Sequence, residues 1–441
     1  MTGDAPRLLR RELGVGGATM MGLGSMVGTG VFVSIGIAAG AAGASTILAI
    51  AIAALVATCN ALSSAQLAAS HAVSGGTYEY GYRYLTPALG FTAGWMFLCA
   101  KTASAATAAL GFAGYLLRLT GGGDPAIRWV ALGAVALFTQ LVLSGLKRSS
   151  WMNIAIVSVT LLALVAFIAA GLPEIVRGGG GNLSPFFPDA DGPAVHGFLY
   201  ATALMFVAYT GYARIATLGE EVKEPRKAIP RAIIVTLGVT AILYILVAVV
   251  AIGAVGAERF AGSAGDRTTP LETVARALAT PALPELVAIG AITAMLGVLL
   301  NLIIGLSRVV LAMGRQGDAP PVFARISGDG RAPAGAVVLV GIAVGALTLT
   351  GSVETTWAFS AFTVLVYYAI TNLAALRLPH EQRLYPRWIA VAGLVMCLFL
   401  AFWVPPRIWL TGLALIGAGL VWHKGIARLW PRGIVERRSE G

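Results

Sequence analysis

Residues 24–32 read Gly24-Ser25-Met26-Val27-Gly28-Thr29-Gly30-Val31-Phe32 and fall in the middle of the first long apolar segment. A glycine costs a helix about 1 kcal/mol relative to alanine, and Gly22 and Gly36 weaken the same segment on either side. The helix is expected to fail near its midpoint. Inside a bilayer, backbone that leaves the helix must find partners other than lipid. Amide N–H groups freed around Gly28 to Gly30, at the positive end of the following half-helix, make a cradle for an anion such as a carboxylate. The plainer reading is close helix packing, because Gly24 and Gly28 form a GxxxG pair. Gly30, with Thr29 between, favours consecutive unhelical residues instead.

A second candidate break lies in Phe206-Val207-Ala208-Tyr209-Thr210-Gly211-Tyr212, near the middle of the sixth apolar segment. Carbonyls freed there would accept hydrogen bonds from an ammonium group. An amide cradle and a carbonyl cradle together specify a zwitterion, an α-amino acid. Phe206, Tyr209 and Tyr212 are candidate aromatic gates over such a guest, against the plainer reading of helix packing. Lys101 stands about 11 residues into its segment, roughly 16 Å at 1.5 Å per residue, too deep for easy snorkelling. A charge at that depth marks a functional site by default, and the amine is a candidate for proton exchange during a transport cycle. Glu220 and Glu221, with Arg214 one to two turns earlier, are candidates for a latch at the cytoplasmic end, or simply a solvated cluster. Asn60 and Asn301 read as helix–helix glue. No Walker loop and no HExxH motif occurs, and Cys59, Cys99 and Cys397 all lie in apolar segments. Neither cofactor nor metal is expected.

These residues need a membrane-spanning frame, and the composition supplies it. The chain has 441 residues, 57% hydrophobic and 12% charged, with a mean hydropathy of +0.82. Spans of roughly 20 apolar residues are expected at about 14–39, 44–70, 90–117, 127–146, 151–171, 196–219, 230–255, 284–313, 333–351, 355–377, 388–404 and 407–423. The net charge of +11 is not a nucleic-acid footprint. With the N-terminus inside, twenty-one lysines and arginines fall on cytoplasmic segments and seven on external ones, the positive-inside pattern, which puts both termini in the cytoplasm of a cell-membrane protein.

Two interrupted segments at corresponding positions point to internal repetition and to a midplane binding site. The expected fold is an all-α membrane protein of about twelve transmembrane helices, a 5+5 inverted repeat with discontinuous helices 1 and 6. An odd number of spans per repeat forces the two units into opposite orientations. The division is a cytoplasmic N-terminus at 1–13, a first repeat at 14–171, an external loop at 172–195, a second repeat at 196–378, an accessory pair at 385–423 and a cytoplasmic tail at 424–441. Residues 71–89 read as an interfacial helix and 257–283 as an external helix lying on the surface.

At Gly28-Thr29-Gly30-Val31-Phe32, Ser74-Gly75-Gly76-Thr77-Tyr78, Tyr209 to Tyr212 running into Glu220 to Arg226, and Ser307 to Gly317, the chain resembles bacterial permeases of the amino acid–polyamine–organocation superfamily. The resemblance covers nearly the whole chain. It implies that the first break binds the substrate carboxylate and the sixth helix's break the amino group. It thereby implicates Ser25, Val27, Gly28, Thr29 and Gly30, then Phe206, Ala208, Tyr209 and Gly211. Proton-coupled members place a lysine in the fifth span, where this chain reads Asn153-Ile154-Ala155-Ile156-Val157-Ser158-Val159-Thr160. Either Lys101 supplies that charge or the coupling differs, with sodium still open.

The expected function is secondary active transport of amino acids by alternating access, coupled to protons or working by exchange. A polyamine or organocation antiporter is the alternative, and the scarcity of acidic residues at depth argues against it. An intramembrane enzyme would need a catalytic set that these spans lack, and a channel would need a polar lining. The partners expected are a small amino acid, a proton and the lipid bilayer, with no nucleic acid.

Overall fold

The computed structural model describes residues 14–71, 75–145, 150–177, 180–187, 194–216, 222–265, 269–326 and 333–429, and among these the chain is all-helical. The first span is split into α1 (Val15–Met26) and α2 (Ile35–Ala42), with a short π-helical stretch, Gly30–Ser34, before α2. Gly43, at φ 60°, ends α2 and leads through a 3-10 turn into α3 (Thr46–Ser70). A short helix, α4 (Thr77–Tyr84), precedes the third span, α5 (Pro87–Thr120). The fourth and fifth spans are α6 (Ile127–Leu143) and α7 (Ser150–Arg177).

The sixth span is α8 (Ala194–Tyr209) and α9 (Ala213–Ala216), joined by a 3-10 turn over Thr210–Tyr212. The seventh is α10 (Pro225–Val255), followed by the short α11 (Ala257–Gly265) and α12 (Pro270–Ala277). Then come α13 (Leu283–Gln316), α14 (Ala334–Thr350) and α15 (Val353–Leu376) as spans eight to ten. The last pair, α16 (Arg387–Ala401) and α17 (Pro406–Leu429), turn on each other by 116°. Most of these helices are long and apolar enough to cross a bilayer, and α6 and α14, at 17 residues each, sit at the short limit. The protein is a multi-pass membrane protein.

Exchanging each of spans one to five with the span five places later leaves the packing pattern unchanged. The contact of α5 with α15 has its counterpart in α13 with α7, and α3 with α8 in α10 with α1. The pairs α3–α10, α5–α13 and α6–α14 each map onto themselves. Packing invariant under this exchange is the mark of a pseudo-two-fold relation between two five-helix units. The connection after span two and the one after span seven, also equivalent, each carry the short amphipathic helices. Lysines and arginines of the connections crowd at the end of the bundle where α17 finishes, here named the basic end.

The short helices differ from the sequence expectation in number. The stretch expected at 257–283 is two helices, and like α4 each has one buried and one exposed face: Tyr78, Tyr80, Phe260, Leu271 and Glu272 are buried, while Arg83, Glu258, Arg259 and Arg276 are exposed. Their apolar faces cover the ends of neighbouring spans, so the amphipathic pattern faces protein. Glu272 is held by Arg118 at the end of α5, 3.4 Å away, and by Arg276 one turn along α12. At the basic end, Gly317 at φ 80° closes α13 in a Schellman turn, with the Asp318 amide on Met313 O at 2.8 Å. That turn aims Asp318 inward. Its carboxylate, 1% exposed, accepts from Tyr78 at 2.7 Å and Tyr82 at 2.5 Å and meets His423 Nδ1 of α17 at 3.0 Å.

Candidate functional site

The first helix stops where its glycines begin. Val27, with φ −79° and ψ 93°, ends α1, and Gly28 lies in the bend. Gly28 O then accepts from the amides of Val31 and Phe32 at 3.1 and 3.2 Å, which starts the second half. The amides of Gly28 and Thr29 have no backbone partner among the described residues, as expected at a helix N-terminus. Thr29 Oγ1 is likewise buried and unpartnered there. Ser25 weakens the end of α1 further by donating its hydroxyl to Met21 O at 3.0 Å.

The sixth helix behaves differently. It tightens into a 3-10 turn at Thr210–Tyr212 instead of unwinding, and Phe206, Ala208 and Tyr209 remain α-helical. The reason is compositional: one glycine, Gly211, stands here where the first break has two around Thr29. The 3-10 turn still changes which carbonyls are taken. Thr210 Oγ1 donates to Val207 O at 2.7 Å, and Tyr368 donates to Thr210 O at 3.4 Å.

The two interruptions touch. A Cβ on Gly30 would stand 2.5 Å from Ala208 Cβ and 3.0 Å from Ala208 Cα, and one on Gly211 would overlap the Ser25 carbonyl. Only glycine permits this approach. Between them lies a void of about 40 Å³ lined by Ser25, Met26, Thr29 and Gly30 from the first span and Val207, Ala208, Thr210 and Gly211 from the sixth. Lys101 and Ser104 of α5, Val298 and Leu302 of α13 and Trp357 of α15 complete its wall. Lys101 is fourteen residues past the start of α5, about 21 Å along it, and 8% exposed. It does not snorkel: its Nζ donates to Thr210 Oγ1 at 2.7 Å. The void of about 40 Å³ is far smaller than ligand pockets, which run from about 300 Å³ upward.

Of the residues singled out from the sequence, Ser25, Thr29, Gly30, Ala208, Gly211 and Lys101 come together on this void. Val27 and Gly28 form the bend beside it, where a Cβ on Gly28 would lie 2.7 Å from Val298 Cγ2. Phe206 packs edge-on against Tyr368, and Tyr209 donates to Ile50 O at 3.3 Å, so both rings turn away from the void. Tyr212 is buried against Tyr368. Arg214, half-buried, lies on α9, while Glu220 falls outside the described residues. Asn153, in the fifth span, donates to Met20 O of α1 at 2.9 Å, a neutral donor where the resemblance led to a lysine. Sequence reading passed over Thr210, Trp357, Val298 and Leu302. It passed over Ser104 as well, although that residue is one turn from Lys101 on the same face.

The profile of the amino acid permease family matches residues 17–422. The chain belongs to that family. An uncharacterized transporter of Mycobacterium tuberculosis is 41% identical over 438 residues, 99% of this chain and 94% of that one. A branched-chain amino acid permease of Bacillus subtilis is 30% identical over 343 residues, 74% of this chain and 71% of its own. Cationic amino acid transporter 4 of mouse is 28% identical over 396 residues, 84% of this chain and 60% of its own. This permease is a transporter, not an enzyme.

Proposed function

We propose that this permease is a secondary transporter of the cell membrane that carries a neutral aliphatic amino acid by alternating access, its zwitterionic head held between the two broken helices. The apposition of the breaks around a small void carries the reading. The free amides of Gly28 and Thr29 suit the carboxylate, and carbonyls ending α8 suit the ammonium. Val298, Leu302 and Trp357 offer an apolar wall to the side chain, consistent with the branched-chain relative. A dication, the guest of a polyamine antiporter, is disfavoured by the lysine in the wall and by the lack of Asp or Glu among the lining residues.

Coupling is assigned to Lys101. Its hydrogen bond to Thr210 runs from α5 to the broken sixth span, so its protonation state bears on how these two elements fit. The basic end is assigned to the cytoplasm, with both termini there. The test is uptake by the purified permease in liposomes, across the twenty amino acids, with and without imposed proton and sodium gradients. Saturable uptake of aliphatic amino acids, accelerated by an inward proton gradient, is expected. Uptake of putrescine or arginine alone would overturn the reading.

A further inference from the structure

Four hydroxyls pair across the seam between α5 and α15. Ser104 Oγ meets Ser360 Oγ at 2.8 Å, and one turn further along α5 Thr107 Oγ1 meets Thr356 Oγ1 at 2.8 Å. Their neighbours in sequence, Ala103, Ala106 and Ala361, are buried alanines. Alanine would fill the four places as well, and bonds between hydroxyls add little to helix association in a membrane, so the pairing calls for another reason. The inner bridge opens on the crossing. Ser104 lines the same void as Lys101, and the about 40 Å³ there has room for a water beside both. Lys101 is the one titratable group among the lining residues. The outer bridge lies one turn below the start of α15, where Ser352 and Glu354 are exposed. This end is opposite the basic end, because α5 starts with Phe91 stacked on His423 of α17, 4.7 Å ring to ring, and runs away from it.

Each threonine of the outer bridge has a second acceptor. Thr107 Oγ1 donates to Ala103 O at 2.9 Å or across to Thr356, and Thr356 Oγ1 donates to Ser352 O at 2.8 Å or across to Thr107. The bridge therefore reverses its direction and keeps the same number of hydrogen bonds, as a proton relay requires. A proton reaching Thr356 Oγ1 releases that hydroxyl's own proton to Thr107 Oγ1. Thr107 passes its own inward to the bridge of Ser104 and Ser360, about 4.5 Å down α5, a step for one bridging water. From Ser104 the proton crosses the void to the neutral amine of Lys101, which becomes the ammonium. At every step one bond to hydrogen breaks and one forms, and no electron is transferred.

We infer that the two hydroxyl bridges between α5 and α15 are the path by which protons pass from the outer end to Lys101. The inference rests on the assignment of coupling to Lys101, and it makes Thr107, Thr356 and Ser360 relay residues outside the lining of the void. Thr107→Val keeps the side chain's shape and removes the hydroxyl, Ser360→Ala opens the inner bridge, and Thr107→Ser restores a hydroxyl. In liposomes, L-leucine uptake driven by an inward proton gradient is expected to fall about tenfold in Thr107→Val and in Ser360→Ala, while leucine exchange without a gradient stays within about twofold of wild type. Thr107→Ser is expected to keep its gradient-driven uptake, and a loss there equal to that of Thr107→Val would overturn the path. Hydroxyls that only fasten α5 to α15 would change both modes alike or neither, and either result overturns it too. The two bridges are tested separately, so the experiment decides even if one variant does not insert. A wild type indifferent to the proton gradient overturns the coupling assignment and the path together. A wild type that responds, with variants that respond equally, overturns the path alone.

Discussion

Gly30 and Gly211 hold the crossing together by what they lack. A methyl group at residue 30 would sit inside contact distance of Ala208, so Gly30→Ala should push the broken helices apart. Uptake is expected to fall below about a hundredth of wild type, the scale of about 3 kcal/mol lost from a close-packed contact, with the protein still inserted; uptake within twofold would contradict the contact. Lys101 and Thr210 act as a pair, since Nζ and Oγ1 meet at 2.7 Å. Lys101→Ala and Thr210→Val should each remove proton-driven uptake while sparing exchange without a gradient, and the double variant should be no worse than either. Additive losses would separate the two roles. Gly28 to Gly30 was readable in the sequence because a glycine penalty acts locally. Trp357 and Val298 were not, since their places opposite the breaks are set by tertiary packing. Phe206 and Tyr209 were read as gates because a helix apolar all round gives no sign of which face turns inward.

At the scale of elements, the two interruptions differ in kind as their glycine content differs: a bend with unpaired amides in the first span, a tightened 3-10 turn in the sixth. The sequence expectation of two breaks at corresponding positions held, and the second, with fewer glycines, is the milder one. The short helices were legible as amphipathic, and what covers their apolar faces was not, because pattern alone cannot say whether that face meets lipid or protein. At the basic end, Asp318 gathers α4, α13 and α17 through Tyr78, Tyr82 and His423. Asp318 is far in sequence from the two tyrosines of α4 and from His423, so nothing announced the cluster beforehand. Asp318→Ala strands three donors at a buried point and is expected to cost about 3 kcal/mol of stability, read as a lowered melting temperature of the purified protein. A melting temperature unchanged from wild type would show that α17 is docked by other contacts.

For the molecule as a whole, the hydropathy pattern placed the spans to within a few residues, because bilayer thickness leaves little freedom in helix length. The partner of each span was beyond its reach, except through the pairing of two broken helices, which implied the repeat. The pseudo-two-fold packing places the breaks against each other, the arrangement that the proposed alternating access calls for. The void of about 40 Å³ means that the crossing must open to admit a guest, so a bound amino acid selects a more open arrangement than the one described. Cryo-electron microscopy of the purified permease with the amino acid that it transports best tests this account most directly. The account predicts density for that amino acid between the amides of Gly28 to Gly30 and the carbonyls ending α8, with Gly30 and Ala208 drawn apart. An amino acid bound elsewhere, with the two broken helices still closed on each other, would contradict it.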